Sequence, residues 1–196
     1  MKKPLKVLPK KRDLVELGVV LLIFSVIYFT GSQAEVFGKV QQAVLATGII
    51  NAGELDDIAK KDAEYDFMLV DENGTEFNAE SLRGKTIFIN IWATWCAPCV
   101  AEMPGINSLY NDLKNEEDIV FLMISHDKEF QTAKNWVARK GFDFPIYQLT
   151  TPLPDMYETN VIPTTVVISS KEKVIVKHTG MANYNTNRFK RLLMRK

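Results

Sequence analysis

The sequence predicts an α/β domain, built on a mixed β-sheet that carries helices on both faces. Two stretches, TIFINIWA at 86–93 and IVFLMIS at 119–125, are almost continuously apolar, which is typical of strands buried on both sides of a sheet. A segment of helix length separates them. Near the C-terminus, 164–169 and 174–178 form two short strands joined by a tight polar turn, and the helix-forming segment NTNRFKRLLMRK follows them.

The composition is that of one ordinary domain with appendages. The chain has 196 residues, 24 Lys plus Arg against 24 Asp plus Glu, and 46% hydrophobic residues. This balance excludes a disordered protein and a nucleic-acid-binding protein that relies on bulk charge. The two cysteines are too few for a disulfide scaffold, and their close spacing indicates redox chemistry.

The N-terminus combines a basic tail with an apolar segment. Residues 1–16 hold six basic and two acidic residues, a net charge of +4. Residues 17–34 contain no charged residue, and their 18 positions approach the roughly 20 that a membrane-spanning helix needs. The sequence therefore predicts a transmembrane anchor at 17–34, behind a cytoplasmic tail at 1–16.

Basic residues before such a helix keep that end in the cytoplasm, so the rest of the chain is expected on the far, oxidising side of a bacterial membrane. A cleaved signal peptide is the alternative, because Ser32, Gln33 and Ala34 resemble a cleavage site. Both interpretations export the domain.

The remaining segments follow in order. Residues 35–64 have apolar positions at helical spacing and then turn acidic, so they predict an amphipathic helix and a tether. Residues 65–196 form the domain, which opens with a hairpin whose turn is Asp71–Gly74. Residues 125–127 can cap a helix that runs to Lys140 and ends at Gly141, before the extended segment FPIYQL.

Cys96 and Cys99 lie where a buried strand ends and a helix begins. A cysteine in the first turn of a helix is beside unpaired N–H groups and the positive end of the helix dipole, which stabilise a thiolate. Cys96 is therefore the expected nucleophile, and Cys99, one turn later, the expected resolving thiol. Pro98 fits the first turn because it needs no N–H partner, and Trp95 would shield the flank of the site.

Two other interpretations of the cysteines are weaker. A zinc site needs two further ligands, and the candidates, His126 and His178, lie in separate strand-end contexts. A structural disulfide across so short a loop would restrain the unfolded chain very little. No metal is expected.

The chain resembles the thioredoxin superfamily, and more closely its membrane-anchored, exported TlpA/ResA-like branch. The resemblance covers 65–196, and its motifs are LRGK at 82–85, NIWATWCAPC at 90–99, EMP at 102–104, GFDFP at 141–145 and VIPTT at 161–165. It implies a thioredoxin fold in which Pro163 is cis and faces the cysteines, so that the backbone of Ile162 can pair with an extended substrate. The alternative for Pro163 is an ordinary trans proline at a strand start.

The sequence departs from the pattern of these relatives at two positions, Asn90 and Ala97. Where thioredoxins carry a buried Asp that relays the proton of the second cysteine, this chain has Asn90, which cannot titrate. Glu102 is a candidate proton relay, although a solvated carboxylate on the helix face is the alternative. Ala97, between the cysteines, is neutral where ResA-type reductases have an acid. Pro104 is expected to kink or restart the helix.

The resemblance implies an exported, membrane-tethered thiol–disulfide oxidoreductase that reduces protein disulfides, in a pathway such as cytochrome c maturation. It implies no cofactor beyond the redox-active Cys96–Cys99 pair. The expected partners are protein thiols and disulfides, a membrane dithiol electron donor and the membrane itself, without nucleic acid. The alternatives are an oxidase that introduces disulfides and a binding module on a decayed fold, against which the intact cysteine pair argues.

Overall fold

The computed structural model of the chain describes residues 11–29, 33–47 and 61–195. It divides into two units, Met1–Gln33 and Ala34–Lys196. Most of the basic tail, and residues 48–60 of the predicted tether, lie outside the described residues.

The first unit contains helix α1, Lys11–Phe29. Four of its first six residues are charged, and the rest of the helix is apolar. The helix begins six residues before the predicted segment 17–34, whose residues 30–32 lie outside the described part. Among the helices that the structure describes, none has both the length and the hydropathy required to cross a membrane.

Helix α2 is Gln33–Ala46, and all of it except Gln33 belongs to the second unit, which confirms the helix predicted after residue 34. Its inner face buries Ala34 and Leu45. Gly38 of α2 packs against a second helix, Ala97–Leu113: a Cβ added at Gly38 would lie 3.0 Å from Val100 Cγ1 and 3.1 Å from the carbonyl oxygen of Ala97. Glycine therefore permits the close approach of the two helices.

A second face of α2 is apolar and exposed. It carries four large side chains at helical spacing, namely Val36, Phe37, Val40 and Val44.

In the described residues, seven strands form one sheet, which confirms the predicted mixed sheet. They are β1 Met68–Asp71, β2 Glu76–Asn78, β3 Thr86–Trp92, β4 Ile119–Ser125, β5 Ile146–Leu149, β6 Thr164–Ile168 and β7 Val174–Thr179. The strand order is β2-β1-β5-β4-β3-β6-β7. Strand β3 pairs parallel to β4 and antiparallel to β6, and all of its residues are buried.

Three helices complete the domain: α3 Ala97–Leu113, α4 Phe130–Lys140 and α5 Asn187–Leu193. All three bury side chains in one cluster, on the face of β3 that carries Phe88 and Trp92. The opposite face of the sheet is covered by residues 63–67, a 3-10 turn at Ala79–Leu82 and the loop that holds Tyr157. This differs from the predicted placement of helices on both faces, because non-helical segments cover the second face.

Two predicted helix boundaries need correction. Glu129, the N-cap residue of α4, forms no side-chain cap hydrogen bond, and the predicted cap residue Asp127 instead binds Thr94 in the loop that precedes Cys96. Helix α3 runs continuously through Pro104 and does not restart there. The predicted end of α4 is confirmed, since Gly141 adopts a left-handed conformation with φ 66°.

Candidate active site

Cys96 is the N-cap residue of α3, directly after the loop that follows β3. It forms a disulfide with Cys99, and their Cα atoms are 5.2 Å apart. The backbone N–H of Cys99 donates to Cys96 Sγ at 3.3 Å. The first turn of the helix therefore points a donor at the sulfur of Cys96, where a thiolate would form on reduction.

The two sulfurs differ in accessibility. Cys96 is 6% exposed, whereas Cys99 is completely buried. Pro98 lies in the first turn of α3, as expected. The side chain of Trp95 is 61% exposed on the flank of the site. Cys96 is thus the sulfur that a substrate can reach first.

The Ile162–Pro163 peptide bond is cis, so the interpretation of Pro163 as a trans proline is wrong. The carbonyl oxygen of Ile162 lies 3.7 Å from Cys96 Sγ. This contact follows from the sheet: β6 starts at Thr164, which is paired with Ile91 near the end of β3. The segment implied to receive substrate is therefore beside the sulfur of Cys96.

Glu102 lies on α3, three residues after Cys99, and its side chain is buried at 1% exposure. Its Oε1 accepts a hydrogen bond from Asn90 Nδ2 at 2.8 Å, and its Oε2 accepts one from the backbone N–H of Ala182 at 3.2 Å. The alternative of a solvated carboxylate is therefore wrong. Asn90 also donates to Thr165 Oγ1 at 2.9 Å, which fixes its amide between strand and helix.

Burial raises the pKa of Glu102 from 4.5 to about 8, although the hydrogen bonds from Asn90 and Ala182 oppose this change. The loss of solvation destabilises the charged carboxylate, and this effect is larger than the stabilisation by its two hydrogen-bond donors. Tyr184 is also buried beside this carboxyl, and burial together with the charge of Glu102 raises its pKa. The carboxyl therefore titrates near neutral pH, in the range useful for proton transfer.

Asp127, which the sequence predicts as part of a helix cap, is a residue of the site. Its carboxylate accepts hydrogen bonds from Thr94 Oγ1 at 2.7 Å, from Thr94 N, and from Ser125 Oγ at 2.9 Å. These bonds tie the end of β4 to the loop before Cys96. The signal in the sequence is a Ser-x-Asp motif directly after a buried strand, beside a Thr at the end of the neighbouring strand.

The two histidines do not approach each other in the sheet. His126 follows β4 on the Trp95 side, and His178 is in β7, paired with Thr165. Within the described ranges, no three His, Cys, Asp or Glu side chains form a group that could hold a metal ion.

The comparisons with known proteins agree on one family. The Redoxin family model matches residues 57–193. The thiol-disulfide oxidoreductase ResA of Halalkalibacterium halodurans is 32% identical over 115 residues, 58% of this chain and 65% of that protein. The match thus spans slightly less than two thirds of that relative. ResA of Bacillus subtilis is 27% identical over 173 residues, 87% of each chain.

A solved structure shows the fold. A thiol:disulfide interchange protein of the thioredoxin family from Chlorobium tepidum superposes with a TM-score of 0.58 at 23% identity. The match covers 71% of this chain and all of that one. The predicted thioredoxin fold is therefore confirmed.

The raised pKa of Glu102 predicts a pH-dependent stability of the oxidised protein. Between the unfolded value of 4.5 and the folded value of about 8, the unfolded chain loses a proton that the folded chain retains. The free energy of unfolding should therefore fall as the pH rises through this window, by about 1 kcal/mol per pH unit from this group. Glu102→Gln should flatten this part of the profile, as measured by denaturant unfolding at a series of pH values.

Glu116→Gln is the control, since Glu116 is an exposed carboxylate before β4. Its profile should follow that of the parent protein. Parallel profiles for the parent protein and Glu102→Gln would contradict the assignment of a buried, protonated carboxyl.

Proposed function

The chain belongs to the Redoxin family, in its ResA-like thioredoxin-fold branch, and on this premise we propose that it is a thiol–disulfide oxidoreductase that reduces protein disulfides. The observation that carries the proposal is the position of Cys96. Its sulfur accepts an N–H from the first turn of α3 and lies 3.7 Å from the Ile162 carbonyl oxygen. A nucleophile, its resolving partner and a backbone acceptor for an extended substrate thus meet at one point.

The reaction proceeds by two exchanges. In the reduced protein the Cys96 thiolate attacks a substrate disulfide, forms a mixed disulfide and releases one substrate thiolate, which takes up a proton. Cys99 then loses its proton and attacks the sulfur of Cys96, which releases the second substrate thiolate and forms the Cys96–Cys99 disulfide. Two electrons pass from the protein to the substrate, and a dithiol donor restores the reduced pair.

Glu102 supplies and accepts the proton of Cys99 in this scheme. Because its pKa is about 8, the carboxyl of the oxidised protein is mostly protonated at neutral pH. It therefore has a proton to give when the disulfide opens and Cys99 leaves as a thiolate. The same carboxylate accepts that proton when Cys99 attacks. Asn90 cannot titrate, and it holds Glu102 by a hydrogen bond of 2.8 Å.

We further propose that the protein works as a reductant, as in cytochrome c maturation. A strongly oxidising pair needs a very stable thiolate, often helped by a polar or basic residue between the cysteines. Ala97 and Pro98 supply no such group. A disulfide-forming oxidase is the alternative, and the reduction potential distinguishes the two.

The proposal includes a membrane tether with the domain outside the cytoplasm. It is supported by the uncharged run 17–34 behind a basic tail and by exposed apolar side chains along α1, among them Leu17, Leu21 and Val26. The exposed apolar face of α2 directly after that run is a further support. A tether would keep Cys96 near a membrane dithiol donor and raise the effective concentration of each for the other.

The two cysteines should differ in reactivity. In the reduced protein, Cys96 should be alkylated at least about tenfold faster than Cys99, because Cys99 is buried and Cys96 borders solvent. Alkylation followed by peptide mass analysis measures both rates. Cys99→Ser should also trap mixed disulfides with protein substrates, whereas Cys96→Ser should trap none. Equal alkylation of both cysteines would contradict these roles.

The reduction potential tests the direction of electron flow. Equilibration with glutathione or dithiothreitol buffers should give a value nearer to about −270 mV, typical of thioredoxin, than to about −120 mV, typical of DsbA. A reduction potential above about −180 mV would contradict the proposed reductase and favour a disulfide-forming oxidase.

A reporter that is active only outside the cytoplasm, fused after Lys196, should be active. The N-terminal sequence of the mature protein should begin at or near Met1. Glu35 as the first residue would show a removed signal peptide, and an inactive reporter would contradict export.

A further inference from the structure

A cavity of about 470 Å³ lies beside the reactive disulfide, within the size range of ligand sites. Its wall is largely apolar, with contributions from Ile91, Leu149 and Leu153. Asp155, Glu158 and His126 line it as well, and all three residues are exposed. The cavity therefore combines apolar side chains with two carboxylates and one imidazole.

The cavity borders the reaction site through two shared residues. Trp95, which precedes Cys96, and Ile162, whose carbonyl oxygen lies 3.7 Å from Cys96 Sγ, both line it. A polypeptide joined to Cys96 and paired with the Ile162 backbone therefore passes its edge. Side chains next to the reacting cysteine of that polypeptide are within reach of the cavity.

The loop that forms the cavity is held in place before any substrate arrives. Thr151 Oγ1 accepts a hydrogen bond from Met68 N at 2.8 Å. The hydroxyl of the buried Tyr157 accepts one from Glu64 N at 2.9 Å. A preformed cavity binds a side chain without the entropic cost of ordering the loop.

The charge of the loop is one-sided. Residues 150–160 contain Asp155 and Glu158 and no Lys or Arg. Neither carboxylate forms an ion pair with any residue in the described part of the chain. Lys177 reaches the loop, but its Nζ donates to the carbonyl oxygen of Met156 at 2.8 Å. The two carboxylates are therefore available to a cation from outside, and the exposed indole of Trp95 offers a cation a further favourable surface.

We propose that this cavity is a specificity subsite for protein substrates in which an apolar residue and a Lys or Arg flank the reacting cysteine. The apolar side chain enters the cavity, and the cation lies against Asp155 and Glu158. The proposal rests on the proposed oxidoreductase activity and names the substrate class of that same site. An acidic segment would meet two like charges there and is disfavoured.

The test uses the full-length, reduced protein in detergent and synthetic peptides with one intramolecular disulfide. The peptides carry Leu-Lys, Leu-Glu, Ser-Lys or Ser-Glu beside the reacting cysteine. Reactions are stopped with acid, and reduced peptide is measured by mass. The Leu-Lys peptide should react about tenfold faster than Leu-Glu at low salt, and this ratio should decrease as salt is added. Replacing Leu with Ser should slow the reaction several-fold.

The double variant Asp155→Asn/Glu158→Gln should bring the Lys-to-Glu ratio close to one. The matched control is Glu116→Gln/Glu117→Gln, which changes the net charge equally before β4, at the opposite edge of the sheet. This control should keep the ratio of the parent protein.

Three results would overturn the proposal. The first is equal rates for all four peptides. The others are a Lys-to-Glu rate ratio that stays unchanged in Asp155→Asn/Glu158→Gln, or one that falls equally in the control variant. Failure of the parent protein to reduce any peptide would instead contradict the proposed oxidoreductase activity. The two failures are therefore distinguishable.

Discussion

Strand β3 is the constraint on which the site depends. It is buried along its whole length and pairs parallel to β4 on one side and antiparallel to β6 on the other. The carboxyl ends of β3 and β4 and the amino end of β6 therefore lie at one edge of the sheet. This geometry brings Cys96, Asp127 and Pro163 together, although they are far apart in the chain. Asp127, just after β4, then fastens the loop before Cys96 through Thr94, so Cys96 is positioned by these hydrogen bonds as well as by its own helix.

The second feature of the site is the pairing of a carboxyl on helix α3, Glu102, with an amide on strand β3, Asn90. Burying Glu102 raises its pKa to about 8, and a buried carboxyl of this kind costs stability unless it is protonated or hydrogen-bonded. Asn90 and the Ala182 N–H supply two donors to its oxygens. An amide at position 90 can hold such a carboxyl without adding a second charge to the interior. In the proposed mechanism Glu102 moves the proton, and Asn90 orients the carboxyl of Glu102 without titrating itself.

Two apolar surfaces of the protein are exposed and do not pack into its core. Helix α2 buries one face against α3 through Gly38, and presents a second apolar face to the outside. Beside the disulfide, Trp95 is exposed next to an apolar cavity with two carboxylates. In the proposed function these features select the substrate, because apolar contact and charge together discriminate between polypeptides that the exchange chemistry alone does not distinguish.

The sequence by itself determined the strands, the helix boundary at Cys96, the hairpin at Asp71–Gly74 and the left-handed end of α4 at Gly141, because these depend on local apolar runs and turn residues. Local motifs, and the family resemblance that they carry, also pointed to both cysteines, Pro163 and Glu102 as candidate site residues. The sequence did not determine that Glu102 is buried, since three-residue spacing along a helix does not say which face the sheet covers. The sequence also predicts Asp127 in a helix cap, because its actual partner, Thr94, follows a different strand and is distant in the chain. The placement of all three helices α3, α4 and α5 on one face, and the cavity beside Trp95, were decided only by the tertiary structure, because both arise where segments distant in the chain pack together.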